Sequence, residues 1–431
     1  MPYDRDSFLA GVAVGRNMKS WPDLRSDGKG IFALTVRINT SSEQTSIFSC
    51  LTVYHSVDID WGDDTSGHYE SSSSPINHRY QSNGIYHIVM SGDLVGFRCN
   101  SSSTLISIDT PLPPISKEVS RPIYIDAGRM IADCYYLESI PSGIFSNYED
   151  DEVYITAIDY FAQQCTALKA IPSNLFRGTN FKLDPSGSVR GNTTLDGMFM
   201  QCSSLKTVPH DLFEGESFGY FTSCVNLFYV SGMVIIPEGL FDSLVNVTDC
   251  RFIFRESESL RVIPPDLFKY MESAERFNGC FEGCTSLEYA PDGIFSNLPS
   301  AISVASVFAN TGLKKTPRGC FANCGNLIAA NSCFDYCHNL GEIEVDVFSG
   351  CRALENVTAA FGETGIHGIP HNLFSSNPAI AYFGGTFSGC SGITTAVPSL
   401  WLSYPDAVYT TRCFYGCENA SNYDDIPSGW K

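Results

Sequence analysis

One pattern recurs along most of this chain and restricts its fold more than any other feature. A cysteine is followed by Leu three residues later, Pro seven later and Phe eleven later. The pattern runs through Cys134, Leu137, Pro141 and Phe145, and again through Cys165, Leu168, Pro172 and Phe176. It returns at Cys202, Leu205, Pro209 and Phe213, and at Cys284, Leu287, Pro291 and Phe295. Ser257 takes the cysteine place ahead of Leu260, Pro264 and Phe268. Two variants shorten the lead, with Leu313, Pro317 and Phe321 in one and Ile366, Pro370 and Phe374 in the other. Degenerate copies surround Cys224, Cys337, Cys351, Cys390 and Cys417.

The spacings have a mechanical reading. Proline suits the first position of a helical turn, where its missing N–H costs nothing. Leu212 and Phe213, three and four residues after Pro209, then share one face of that turn. The Leu-x-x-Ile/Val segment before the proline reads as a short strand. Each unit is therefore a helical turn plus a short strand, which buries its apolar face only when stacked on neighbours. A place held by Cys, by Ser257, or by Thr311 and Thr364 near it calls for a small, weakly polar side chain, as buried free cysteine is. That substitution pattern reads as scaffold. Four C-x-x-x-C pairs, Cys280/Cys284, Cys320/Cys324, Cys333/Cys337 and Cys413/Cys417, could in principle bind zinc. They are read as core, since structural zinc pairs usually space their cysteines two apart.

The pattern resembles the BspA-like leucine-rich repeats, where F-x-x-C-x-x-L-x-x-I-P recurs and units stack into a solenoid. The resemblance covers residues 123–431 and implies an α/β solenoid of the kind used for binding. Unit length departs from the family. Successive leucines lie 31 residues apart from Leu137 to Leu168, but only 13 or 14 apart along Leu313, Leu327, Leu340 and Leu354. Long units imply extra loops, as between Phe176 and Met198.

Residues 31–108 follow a different period. IFALTVRI and IYHIVMSG alternate as half-buried strands do. Between them Asp60, Trp61, Gly62 and Asp63, then Tyr80, Gly84 and Tyr86, resemble the PKD-type β-sandwich, with Asp64 where that family usually has Gly. Asp58, Asp60, Asp63 and Asp64 could also form a calcium loop. Their spacing does not fit an EF-hand, and Asx side chains commonly cap turns, so the turn reading is taken. The expected organisation is a segment at 1–22, a PKD/Ig-like β-sandwich at 23–108, a Pro-rich linker at 109–122 and the repeats at 123–431.

The first 22 residues place Phe8, Gly11, Val12 and Gly15 on one helical face. That segment resembles the N-terminal docking segments of phage virion fibre and decoration proteins, which implies contact with other virion proteins. A bacterial cell-surface or secreted adhesin is the alternative. The N-terminus has no basic region before its short apolar centre, so no conventional export signal is expected.

Composition narrows the partners. Among 431 residues only 17% are charged, against roughly 25% in an average domain, and the formal net charge is −20. Nucleic acid needs clustered Lys and Arg, so it is excluded as a partner. No apolar run approaches the ~20 residues of a membrane helix. None of the eight histidines sits in a zincin motif, and no nucleophile elbow, P-loop or dinucleotide fingerprint is present. The chain is expected to be non-catalytic and to need no cofactor or metal. Residues next to the inward Leu and Ile/Val of each short strand share one outward face. Lys169, Lys206, Arg261, Tyr289, Lys314, Lys315 and His367 mark it as a basic strip for a host-surface glycan or protein. Whether the chain self-associates is left open.

Overall fold

The structure is a computed structural model that describes residues 31–39, 44–70, 74–99, 101–115, 122–148, 152–182 and 194–431. Phe8, Gly11, Val12 and Gly15 lie outside the described residues.

The two alternating segments become neighbouring strands. β1 (Ile31–Ile38) and β6 (Gly84–Arg98) pair antiparallel in register from Ile31 opposite Ser91 to Ile38 opposite Gly84. With β3 (Cys50–Asp60), β4 (Ser66–Tyr69) and β7 (Leu105–Ile108) they form a five-stranded sheet in the order β4-β3-β6-β1-β7. β2 (Gln44–Phe48) and β5 (Ile76–Arg79) form a separate antiparallel pair. Alternation sends Phe32, Leu34 and Val36 of β1 inward, all fully buried.

From residue 122 the chain winds in coils. β8 (Ile123–Asp126) and β9 (Val153–Ala157) pair in parallel, and beyond them strands shrink to single parallel bridges. The bridges fall in two ladders. The first takes the Leu-x-x-Ile-Pro segments: Ala170 with Thr207, Ile235 with Val262, and Lys315 with Glu342. The second runs unbroken through Ser223, Asp249, Arg276, Ser303, Ala329, Asn356, Tyr382 and Tyr409, at intervals of 26 or 27 residues. One coil is thus about twice the short leucine spacing. Leu313 and Leu340 flank the first ladder, while Leu327 and Leu354 flank the second, so the units of 13 or 14 are half-coils and not short repeats.

The helical turns expected after each proline are not α-helical. The turns upstream of the cysteine place carry left-handed residues, such as Phe252 (φ 59°) and Glu256 (φ 56°). Coil-to-coil bonding explains the geometry. Alternate N–H groups donate to the next coil, from Phe252 to Asn278, Phe254 to Cys280 and Glu256 to Glu282, at 2.9, 2.9 and 2.7 Å. The intervening N–H groups of Arg255 and Ser257 close local turns on Phe252 and Phe254. Every buried backbone group needs a partner, and this division supplies one without a helix. Among the described residues the α-helix is the single short segment α1, Leu400–Ser403.

Two columns of phenylalanine fill the interior. In the first, Phe199, Phe228, Phe254, Phe281, Phe308, Phe334, Phe361, Phe387 and Phe414 stack at 5.5–5.8 Å with planes within 3–11°. The second includes Phe241, Phe268, Phe295, Phe321, Phe348 and Phe374, stepped at 5.1–6.2 Å.

The cysteine place lies between these columns and the backbone. Its thiol donates to a carbonyl one coil back: Cys284 to Phe254, Cys337 to Phe308, Cys390 to Phe361 and Cys417 to Phe387, at 3.0–3.2 Å. Ser257 donates to Phe228 O at 3.2 Å in the same way, and Asn377 to Phe348 O at 2.9 Å. A small donor is what the place requires. Burial pushes the Cys337 and Cys390 thiols up to about 11, so little nucleophilic thiolate forms at neutral pH. All 17 cysteines are free and only Cys50 is not buried. Alkylation of the folded chain should therefore modify Cys50 quickly and the others slowly, whereas the denatured, unreduced chain should titrate all of them. Buried thiols that label at the Cys50 rate would refute this packing.

The expected linker differs most from expectation. Cys99 and Ser101 already donate to Met130 and Ala132 of the following coil, at 2.9 Å each. Ser107 bridges Ser139 in parallel, Leu112 donates to Ile144 O at 2.9 Å, and Leu112 is fully buried. Residues 99 and 101–115 thus pack as the first layer on the stack, not as a spacer. The cause is the open apolar end of the stack, which needs a cap. Residues 116–121 of the expected linker lie outside the described residues.

Candidate recognition surface

The first ladder brings the expected strip together. Lys169 precedes Ala170, Lys206 precedes Thr207 and Arg261 precedes Val262, so bridged coils set these side chains in one row. Tyr289, Lys314, Lys315 and His367 continue it, and His367 is tied to Gly341 of the preceding coil by a 3.3 Å backbone bond. All are exposed except the half-buried Lys315.

The row is not the basic strip that its Lys and Arg content implied. Lys169 is held by Glu138 at 2.8 Å, Lys314 by Glu288 at 2.5 Å and Lys315 by Glu344 at 3.5 Å. Glu344 also accepts from Arg318 at 3.3 Å. The hydrogen bond that Lys314 donates to Glu288 raises its ammonium above the usual value, while Lys314 also sits over the Tyr289 ring at 5.4 Å. Lys206 and Arg261 form no ion pair among the described residues.

Between those two cations lies a feature the sequence reading missed. Val234 and Ile235 are 36% and 54% exposed, Val262 is 48% exposed and Tyr289 is 57% exposed. Ile235 bridges Val262, and Arg261 N donates to Val234 O at 2.9 Å, so Val234, Ile235 and Val262 are contiguous, with Tyr289 at the matching place one coil on. Gly232 lets the backbone approach the preceding coil beside it, since a Cβ there would stand 2.3 Å from Ser203 O and 3.1 Å from Lys206 Nζ. Isolated exposed apolar residues are ordinary, but a contiguous tract is not. Its signal was present: Val234 and Ile235 occupy the places of Lys206 and Thr207, one coil later. Met233 in the leucine place hid the alignment.

The Asp-rich turn resolves into local contacts. Gly62 N donates to Asp60 Oδ1 at 2.9 Å and Thr65 N to Asp63 Oδ1 at 3.2 Å. Asp63 Oδ2 meets His78 Nε2 at 2.8 Å, and the His78 ring stacks on Trp61 at 4.6 Å. Burial pushes the Asp63 carboxyl up, but the Thr65 and His78 bonds outweigh it and hold the group below its ordinary value. Tyr80 OH donates to Trp61 O at 3.1 Å, and Tyr80 and Tyr86 rings meet at 4.1 Å. Asp64, where glycine is usual, takes φ 66°. Asp58 instead pairs with the exposed His68 at 2.7 Å.

Among the described residues no helix is long and apolar enough to cross a membrane. No protein-family model matches the sequence, and no curated protein does. Solved structures similar to this chain are leucine-rich-repeat proteins. A leucine rich cell surface protein from Faecalibacterium prausnitzii A2-165 is 17% identical over 77% of this chain and 76% of its own, with a TM-score of 0.30. Toll from Drosophila, in its complex with Spatzle, is 12% identical over 64% of this chain, with a TM-score of 0.31. TLR13, in complex with ssRNA13, is 12% identical over 69% of this chain, with a TM-score of 0.25. The matched regions span only 38% of the Toll chain and 41% of the TLR13 chain.

Proposed function

We propose that this chain is a non-catalytic recognition or adhesion protein that works at a bacterial surface or outside the cell. Its contact row is the first ladder. The observation that carries this reading is the apolar tract Val234, Ile235, Val262 and Tyr289, bordered by Lys206 and Arg261, which no glutamate among the described residues neutralises. In a chain of net charge −20, two unpaired cations beside exposed apolar side chains suit an acidic, hydroxyl-rich partner such as a cell-wall glycan or a protein bearing it. The BspA-like family and a PKD-like N-terminal part are the finer identities that the repeat and the Asp-Trp-Gly-Asp turn favour. A virion location would rest on residues 1–22, which lie outside the described residues.

The test is binding of the full chain to whole bacterial cells and to isolated cell-wall material. Lys206→Glu with Arg261→Glu should weaken binding at least tenfold. Exposed substitutions of this kind usually change stability by no more than about 0.5 kcal/mol, so the melting curve should hold. Lys169→Glu, at a site already occupied by Glu138, should do less. If the double variant binds as well as the parent, the first ladder is not the contact face.

A further inference from the structure

The second phenylalanine column is interrupted where the coils of Phe176 and Phe213 meet. Phe218, from the turn Glu216–Tyr220, is wedged between them, 6.2 Å from Phe176 and 5.5 Å from Phe213. Phe181 and Phe221 pack against the wedge at 5.0 and 5.8 Å. Spreading the coils from inside opens them outside. A cleft of 360 Å³ results, walled in part by Asn174, Arg177, Thr179, Asp211, Glu214 and Ser217. Side chains span it in place of backbone ladders. Asn174 N donates to Asp211 Oδ2 at 3.0 Å, and the Ser217 hydroxyl to Thr179 O at 3.4 Å. On its other side the same coil uses backbone bonds, from Gly143 and Ile144 to Asn174 O and Leu175 O.

Two wall residues carry unmet polar atoms. Thr179 Oγ1 and Asp211 Oδ1 are buried without a partner, two of the six such side-chain atoms among the described residues. Native structures rarely leave such groups unpaired, and each calls for a reason. Arg177 is exposed and forms no ion pair among the described residues. The wall thus offers guanidinium donors, carboxylate acceptors on Asp211 and Glu214, and hydroxyls that can do either. Two carboxylates against one guanidinium disfavour an anion, and the polar lining disfavours an apolar ligand. A neutral molecule with adjacent hydroxyls matches both donors and acceptors, while Phe176 and Leu212 beneath offer its C–H groups an apolar floor.

We propose that this cleft binds a single saccharide residue, with Asp211, Thr179 and Arg177 meeting its hydroxyls. The volume lies near the lower end of small-molecule sites, roughly 300 Å³ and above. The site uses the turns after the prolines and not the first-ladder strands, so it stands or falls separately from the recognition row.

Saturation-transfer NMR on the full chain tests it, with the methyl glycosides of glucose, galactose, mannose, rhamnose and N-acetylglucosamine as probes. At least one should receive saturation, and Arg177→Ala and Thr179→Val should each weaken its binding tenfold or more. Thr179→Val keeps the side-chain shape and removes an unpaired buried hydroxyl, so its melting temperature should equal or exceed the parent's. That keeps a folding defect apart from a binding defect. Lys206→Glu with Arg261→Glu should leave the signal intact. Absence of transfer to every probe would overturn the proposal, as would a bound sugar indifferent to both cleft substitutions.

Discussion

Phe281→Ala should destabilise the coil stack by roughly 3–5 kcal/mol, the cost of truncating a fully packed core phenylalanine. Phe281 is fully buried and stacks on Phe254 at 5.6 Å and on Phe308 at 5.5 Å. It also meets Phe268 and Phe295 of the second column at 6.2 and 6.3 Å. Neither flanking ring can collapse into the gap, because each is held by its own next neighbour. The loss therefore includes the cavity as well as the transfer of the ring. Contacts in a stack run only to adjacent coils, so damage in the middle should also divide the guanidinium unfolding transition. Phe414→Ala provides the contrast: its column contact is Phe387 alone, with Trp401 edge-on at 6.5 Å, and its cost should be clearly smaller. If Phe281→Ala costs less than about 1 kcal/mol, the column is not what holds the coils together.

The rings of the second column were readable from the sequence because their code is local. Cys, Leu and Phe at fixed offsets face inward whatever the neighbouring coil contains, and Cys284, Leu287 and Phe295 are fully buried. What the neighbouring coil contributes was not readable. Both halves of a coil use the same apolar code, so nothing in the spacing of Leu313 and Leu327 says that they flank different ladders. The glutamates that neutralise Lys169 and Lys314 stand 31 and 26 residues away in sequence and only become neighbours on stacking. The Pro-rich run at 109–122 looked like a spacer because proline and the absence of a period suggest one. Leu112 and Ile115 are nonetheless used to cover the end of the stack. The candidate row was thus legible as a place, but its charge balance and its apolar centre were not.

The shortened leads yield the second large effect. Where most coils place two residues between the small donor and the inward leucine, as Cys284 to Leu287 does, three coils place one: Ser231–Gly232–Met233, Thr311–Gly312–Leu313 and Thr364–Gly365–Ile366. Losing a residue while keeping both ends in their layers draws the backbone against the coil before it. A Cβ on Gly312 would stand 2.5 Å from Thr285 O and 3.2 Å from Leu287 O, and one on Gly365 would stand 2.6 Å from His338 O. These are backbone atoms in a packed layer and cannot swing aside. Thr311 is pinned as well, its hydroxyl 2.8 Å from Phe308 O and 3.2 Å from Cys337 Sγ. Gly312→Ala should therefore cost about 1–3 kcal/mol through overpacking, although alanine is the smallest possible addition. Replacing Thr311 and Gly312 with Cys-Thr-Ser, the lead that precedes Leu287, should relieve the contact and bring stability back to within about 1 kcal/mol of the parent, because no close approach is then required. Denaturant melts of the three chains decide it. If Gly312→Ala unfolds with the parent, or if the longer lead is worse than the alanine, the short lead does not depend on glycine.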